Sequence, residues 1–159
     1  MTNIDEIYDL FTWDNTYTPE EYSRREQQGL ELAKGAKYLF PFLQPFLPNG
    51  KSKSVWEPCA KVIADRSDEE LAPYLSFLFE WLQYLNWLGS EIIFDRLAKM
   101  PKALTDETLK YSKSRAEKNQ DEMWLVWLKE FESRQASYNC RLGRLVNGIF
   151  FTSRVVTTA

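Results

Sequence analysis

The 159-residue chain carries 23 Asp and Glu side chains and no histidine. Without an imidazole there is no His-activated Ser or Cys nucleophile, no His-ligated zinc, and no side chain whose unperturbed pKa lies near neutrality. What a carboxylate-rich chain can still do is glycoside hydrolysis, which needs two carboxyl groups roughly 5–10 Å apart across a cleft. Glu6 with Asp14, or Glu80 with Glu91, offers such a pair, but neither stands beside a Gly-rich hairpin or a polar stretch that would line a sugar cleft. Cys59 and Cys140 lie far apart and match no paired metal or redox spacing, so reduced, inert thiols are expected. Phosphate-binding glycine loops and calcium loops are absent from the sequence. The expectation is a protein that is not an enzyme and that needs no metal or cofactor.

The acids are clustered. Residues 1–34 hold eight acids against three bases, and residues 67–99 hold six against two. Asp5, Glu6 and Asp9 form one group, Asp65, Asp68, Glu69 and Glu70 a second, Glu91 and Asp95 a third. Solvated helix faces account for such groups in general; the functional reading is a docking surface for a basic protein, because complementary charge speeds encounter and selects the partner. The net charge of −3 repels nucleic-acid phosphates, which argues against a DNA or RNA binder. The N-terminus MTNIDEIYDL places acids where a signal peptide has cations, and no segment has the 18 or so apolar residues that a membrane span needs. A cytoplasmic protein with no membrane partner is expected.

The elements that would position these groups are helical. Gly and Pro are sparse, 15% of the residues are aromatic, and the apolar positions recur at helical spacing. A chain of this length can bury roughly 70% of its extended surface around one core. Residues 4–12 predict a short amphipathic helix with Ile4, Ile7, Tyr8 and Phe11 inward. Thr18, Pro19 and Glu21 form a capping box for a helix running to about Gly35. AKYLFPFLQPFL reads as a short helix or pair of turns broken by Pro41 and Pro45, with a turn over Pro48 to Gly50. A helix is expected from Val55 to Asp65, and Ser67 with Glu70 caps a longer, two-faced apolar helix ending near Leu85. Asn86 is placed to cap a helix over Trp87 to Lys99, with Gly89 permitting close approach of the two backbones at the corner. Thr105 and Asn119 are read as caps of the last two helices. Trp56, Trp81, Trp87, Trp124 and Trp127 are assigned to the core.

The result is an all-α fold: a single domain of seven or eight helices forming an irregular HEAT-like stack of hairpins, with a compact orthogonal bundle as the alternative. The body is expected over residues 1–132. Residues 133–159 stand apart as a C-terminal helix or tail, for they contain no Asp, Glu or Lys and turn β-branched at NGIFFTSRVVTTA.

WEPCAKV (Trp56 to Val62), SDEEL with Pro73, Tyr74 and Leu75, then Trp81, Leu82, Gln83, Asn86, Trp87 and Gly89, then Arg96 and Leu97 carry a resemblance. They are similar to a family of small bacterial helical proteins whose pattern reads WEPCAKV, SDEELxPYL, WLQDxNWPGA and IxxRL. DEMWLVWLKEF resembles the closing helix of that family, so that the likeness covers roughly residues 19–132. Tyr84 stands where the family has Asp, Leu88 where it has Pro and Ser90 where it has Ala. The family is of uncharacterised function; the resemblance implies a HEAT-type helical fold and relatives among predicted immunity proteins that neutralise toxins exchanged between bacteria.

The function so implied is an immunity or antitoxin protein that occludes a cognate toxin, a basic nuclease-like domain, with Asp68, Glu69, Glu91 and Asp95 steering the encounter. A general helical-repeat adaptor is the alternative, and the carboxylate glycosidase a distant third.

Overall fold

Capping decides where the first helices begin. In the computed structural model, which describes residues 3–46 and 52–152 and side chains through residue 140, Asn3 caps α1 (Ile4–Phe11). Thr18 and Glu21 form the expected reciprocal box at the start of α2 (Pro19–Ala33), with Pro19 in the first turn where its missing N–H costs nothing. The two helices pack as a hairpin. Gly29 makes this possible, because a Cβ there would stand 2.6 Å from the Phe11 ring.

The proline-broken stretch forms two single-turn 3-10 segments, Phe40–Phe42 and Gln44–Phe46. They anchor inward through Tyr8, whose hydroxyl donates to the Pro41 carbonyl and accepts from Gln44 Nε2 at 3.2 Å. Burial pushes that phenol up to about 12. The turn expected over Pro48 to Gly50 lies outside the described residues.

A 3-10 turn, Lys53–Val55, leads into α3 (Trp56–Ala64), with Pro58 in the first turn as expected. Ser67 and Glu70 form the second reciprocal box, at α4 (Asp68–Leu71). The long helix expected to Leu85 is interrupted. Pro73 enforces a 3-10 turn at Ala72–Tyr74, and α5 (Leu75–Trp81) ends four residues early. Nor does Asn86 cap the next helix: α6 (Ser90–Ala98) starts at Gly89, which is left-handed with φ +82°. Its close neighbour is α3, for a Cβ on Gly89 would meet the Ala60 Cβ at 2.6 Å.

Pro101 precedes α7 (Lys102–Lys118), leaving Thr105 inside the helix and buried. Gln120 takes φ 55° in the turn that follows, and Asp121 rather than Asn119 caps α8 (Glu122–Thr152) by accepting from Trp124 N at 3.0 Å. One continuous helix thus crosses the change of composition at Glu132.

Hairpins form at the ends of the chain, α1 on α2 and α7 on α8, while in the middle α3 packs on α6, α5 on α7 and α6 on α8. No strand occurs among the described residues. All parts share a single core that includes Phe11, Phe42, Leu78, Phe79, Trp81, Phe94, Trp124, Leu128 and Phe131. Trp81 and Trp124 lie in it as expected, whereas Trp56, Trp87 and Trp127 are half-buried. The three have one flank at the surface, where part of a large ring costs little to expose.

A polar lock joins the last two helices. Gln135 on α8, buried, donates to the Met100 carbonyl at 3.2 Å and to Thr105 Oγ1 at 2.9 Å. Gln135→Leu leaves both acceptors without that donor in a dry setting, and should cost about 1–3 kcal/mol in urea unfolding. A loss under about half a kcal/mol would mean that the lock is not formed.

Candidate functional site

The corner after α5 is braced from several sides. Ser90 Oγ donates to the carbonyls of Trp81 and Tyr84 at 3.3 and 3.1 Å, closing residues 82–89 over the start of α6. Gln83 Nε2 donates to Asp121 Oδ2 at 2.6 Å while the same carboxylate caps α8, so the corner and the head of α8 are fixed together. Trp87 meets Trp56 edge to face at 5.7 Å and lies against Tyr84 at 4.7 Å. Of the three departures from the family pattern, Ser90 therefore ties α6 back to the end of α5, while Tyr84 and Leu88 are about half-exposed at 45% and 44%.

Between this corner, α6 and α8 runs a groove. Leu85, Asn86, Glu91, Phe94, Trp127, Glu130 and Arg134 line its central section, a volume of about 350 Å³. Asp95 and Tyr138 flank it on one side and Val126 on the other, and Arg134 borders every section. Its walls are aromatic and aliphatic, and its edges carry carboxylates together with Lys129. Val126 and Met123, on the same face of α8, are more than half exposed.

Arg134 crosses the groove. Nη1 reaches Asp95 Oδ1 at 2.7 Å, Nη2 stands 3.9 Å from Glu130 Oε1, and the guanidinium lies 4.5 Å over the Phe94 ring. Phe94 in turn meets Phe131 edge-on at 5.8 Å, so the stacked cation rests on the core.

The four residues expected to steer a partner divide into two pairs. Glu91 and Asp95 lie one turn apart on α6, both in the groove, and Glu91 makes no ion pair among the described residues. Asp68 and Glu69 open α4, outside it. The Asp68 carboxylate accepts from Arg96 Nη2 at 2.7 Å, where the same guanidinium also donates to the Arg66 carbonyl, while Glu69 is exposed. Asp68 thus ties α4 to α6.

Trp127, Glu130 and Arg134 complete the site, and the sequence held a signal for them. On α8 the buried residues Trp124, Leu128, Phe131 and Gln135 fall on one stripe at steps of four, three and four. Met123, Trp127, Glu130 and Arg134 fall on the next stripe, which an aromatic count alone merges with the first.

Of the groups proposed for chemistry, Glu80 and Cys59 are occupied structurally. Glu80 is gripped by both Arg115 terminal nitrogens at 3.3 Å, which holds the guanidinium above its ordinary value. Burial pushes the Cys59 thiol up, away from a reactive thiolate. Cys140 is exposed on α8. Among the described residues no three His, Cys, Asp or Glu side chains converge as metal ligands, and no helix is long and apolar enough to cross a membrane.

Comparison with known proteins places one match on the chain. The model of a domain of unknown function, DUF5071, matches residues 48–149, a span that includes α3 through most of α8. No curated protein and no solved structure matches. The chain belongs to the DUF5071 family.

Proposed function

We propose that this member of the family is an immunity protein, which binds a basic protein toxin along the α6–α8 groove and covers the toxin's working surface. The observation that supports it most is the composition of that groove. Half-buried Trp127 stands beside Leu85 and is bordered by Glu91 and Glu130, an apolar centre with a charged rim. Such a patch gives affinity through the ring and rate through the acids. Its backbone is fixed by Ser90 and by the Gln83–Asp121 bridge, so that little ordering cost falls on association. The central motif resembles a family with relatives among predicted immunity proteins, which supports a toxin as the class of partner, and the net acidity of the chain supports a basic one.

The test is co-purification with the product of the adjacent reading frame, followed by rescue of growth when that product is expressed. Glu91→Lys with Glu130→Lys should lower the association rate by about tenfold or more and abolish rescue, with an unchanged melting temperature, since neither side chain is buried. Undiminished rescue by that variant would put the interface elsewhere. Failure of the unaltered chain to rescue would remove the toxin.

A second reading, an adaptor that joins cellular proteins, is favoured by a separate apolar surface. Tyr38 is 74% exposed and Phe40 46%, and Phe40 packs edge-on against Phe77. An adaptor needs two faces, and capture of two proteins at once by the purified chain would establish it over immunity.

A further inference from the structure

The chemistry around Arg134 defines more than a negatively charged rim. A guanidinium lies over the Phe94 ring, its carbon 4.5 Å from the ring centre, with one nitrogen held by Asp95 and another 3.9 Å from Glu130, and all of this sits at the surface of a groove. A planar fork that stacks on a ring while donating to carboxylates is what arginine does and an ammonium does not. We propose that this is an arginine-recognition site, filled in the free protein by the chain's own Arg134, and that an arginine of a basic partner displaces Arg134 to stack on Phe94 between Asp95 and Glu130. The proposal rests on the binding reading above and specifies which side chain the groove takes.

Three features point to exchange rather than to a permanent strut. The pair is accessible, with side chains of Arg134 and Asp95 exposed by 43% and 48%, and exposed pairs contribute little to stability. The charge is not balanced: Glu91, Asp95 and Glu130 stand against Arg134 and, at the Val126 end, Lys129, which leaves a net −1 in the groove to draw in another cation. Beside the stacked cation, Trp127 offers an apolar wall for whatever follows the incoming arginine. A lysine would gain the charge and lose the stacking and the fork.

The measurement is titration of the purified chain with the peptide acetyl-Gly-Leu-Arg-Leu-Gly-amide and with its lysine counterpart, followed by amide chemical shifts. Arg134→Ala removes the competitor, so the arginine peptide should bind about tenfold more tightly than to the unaltered chain, with shifts centred on Phe94 and Trp127. The lysine peptide should gain clearly less. Equal binding by Arg134→Ala and the unaltered chain, or equal gains for the two peptides, overturns the proposal. If Arg134→Ala does not fold, Glu91→Gln with Glu130→Gln decides in its place: arginine-peptide affinity must fall by about tenfold, and unchanged affinity overturns it. A chain that shows the arginine preference but rescues no cell keeps this site and loses the toxin; rescue without any arginine preference does the reverse.

Discussion

Trp124→Ala should lower the unfolding free energy by about 3–5 kcal/mol and the melting temperature by roughly 10 °C. The indole is 1% exposed at the first turn of α8, and its Nε1 donates to the Phe79 carbonyl on α5 at 3.2 Å. Two losses follow from truncation, the hydrogen bond and the packing, and their sizes differ. The Phe79 carbonyl also accepts from Leu82 N at 3.2 Å, so it is not left without a donor. The cavity therefore dominates. Trp124→Phe, which keeps most of the volume and lacks the indole N–H, should cost only about 1 kcal/mol. If both substitutions cost the same in urea unfolding, the hydrogen bond and not the packing holds α8 to α5.

Gly89→Ala should be nearly as damaging, for a different reason. At φ +82° a side chain strains the backbone by about 1–3 kcal/mol. Its Cβ would also stand 2.6 Å from the Ala60 Cβ and 3.1 Å from the Trp56 carbonyl oxygen, and overpacking costs about 1–3 kcal/mol more. The two parts separate in a double-mutant cycle. Ala60→Gly removes the nearest atom and should recover part of the loss, while the backbone strain persists, so the pair remains less stable than the chain with Gly89 alone. Full recovery would show that only space is at issue at this corner.

Local chemistry was legible in the sequence. Both capping boxes, Thr18 with Glu21 and Ser67 with Glu70, form as their spacing requires, because every atom involved lies within one turn. Competition between neighbouring candidates was not legible. Asn86, Thr105 and Asn119 are all adequate caps in isolation. Gly89, Pro101 and Asp121 take those places because contact with α3, the turn in which Met100 N–H donates to the Leu97 carbonyl at 3.0 Å, and Gln83 respectively fix where each helix begins. Pro73 is the plainer miss, since a proline six residues into a capped helix breaks it whatever the apolar pattern around it. The all-helical class followed from periodicity, and the interleaving of α3 with α6 and α5 with α7 could not, being set by contacts distant in sequence. Of the expected docking acids, Glu91 and Asp95 share the groove because they are four residues apart on one helix. Asp68 is drawn into an ion pair with Arg96, a partner 28 residues away that no spacing rule names.

The proposed binding through the α6–α8 groove is tested most directly by the rate at which the chain associates with the product of the adjacent reading frame, measured at low and at physiological salt. Charge-steered docking predicts a rate that falls as salt rises, and a Glu91→Lys, Glu130→Lys variant slower by about tenfold at low salt and less so at high salt. A rate that is the same for both chains and indifferent to salt would contradict it.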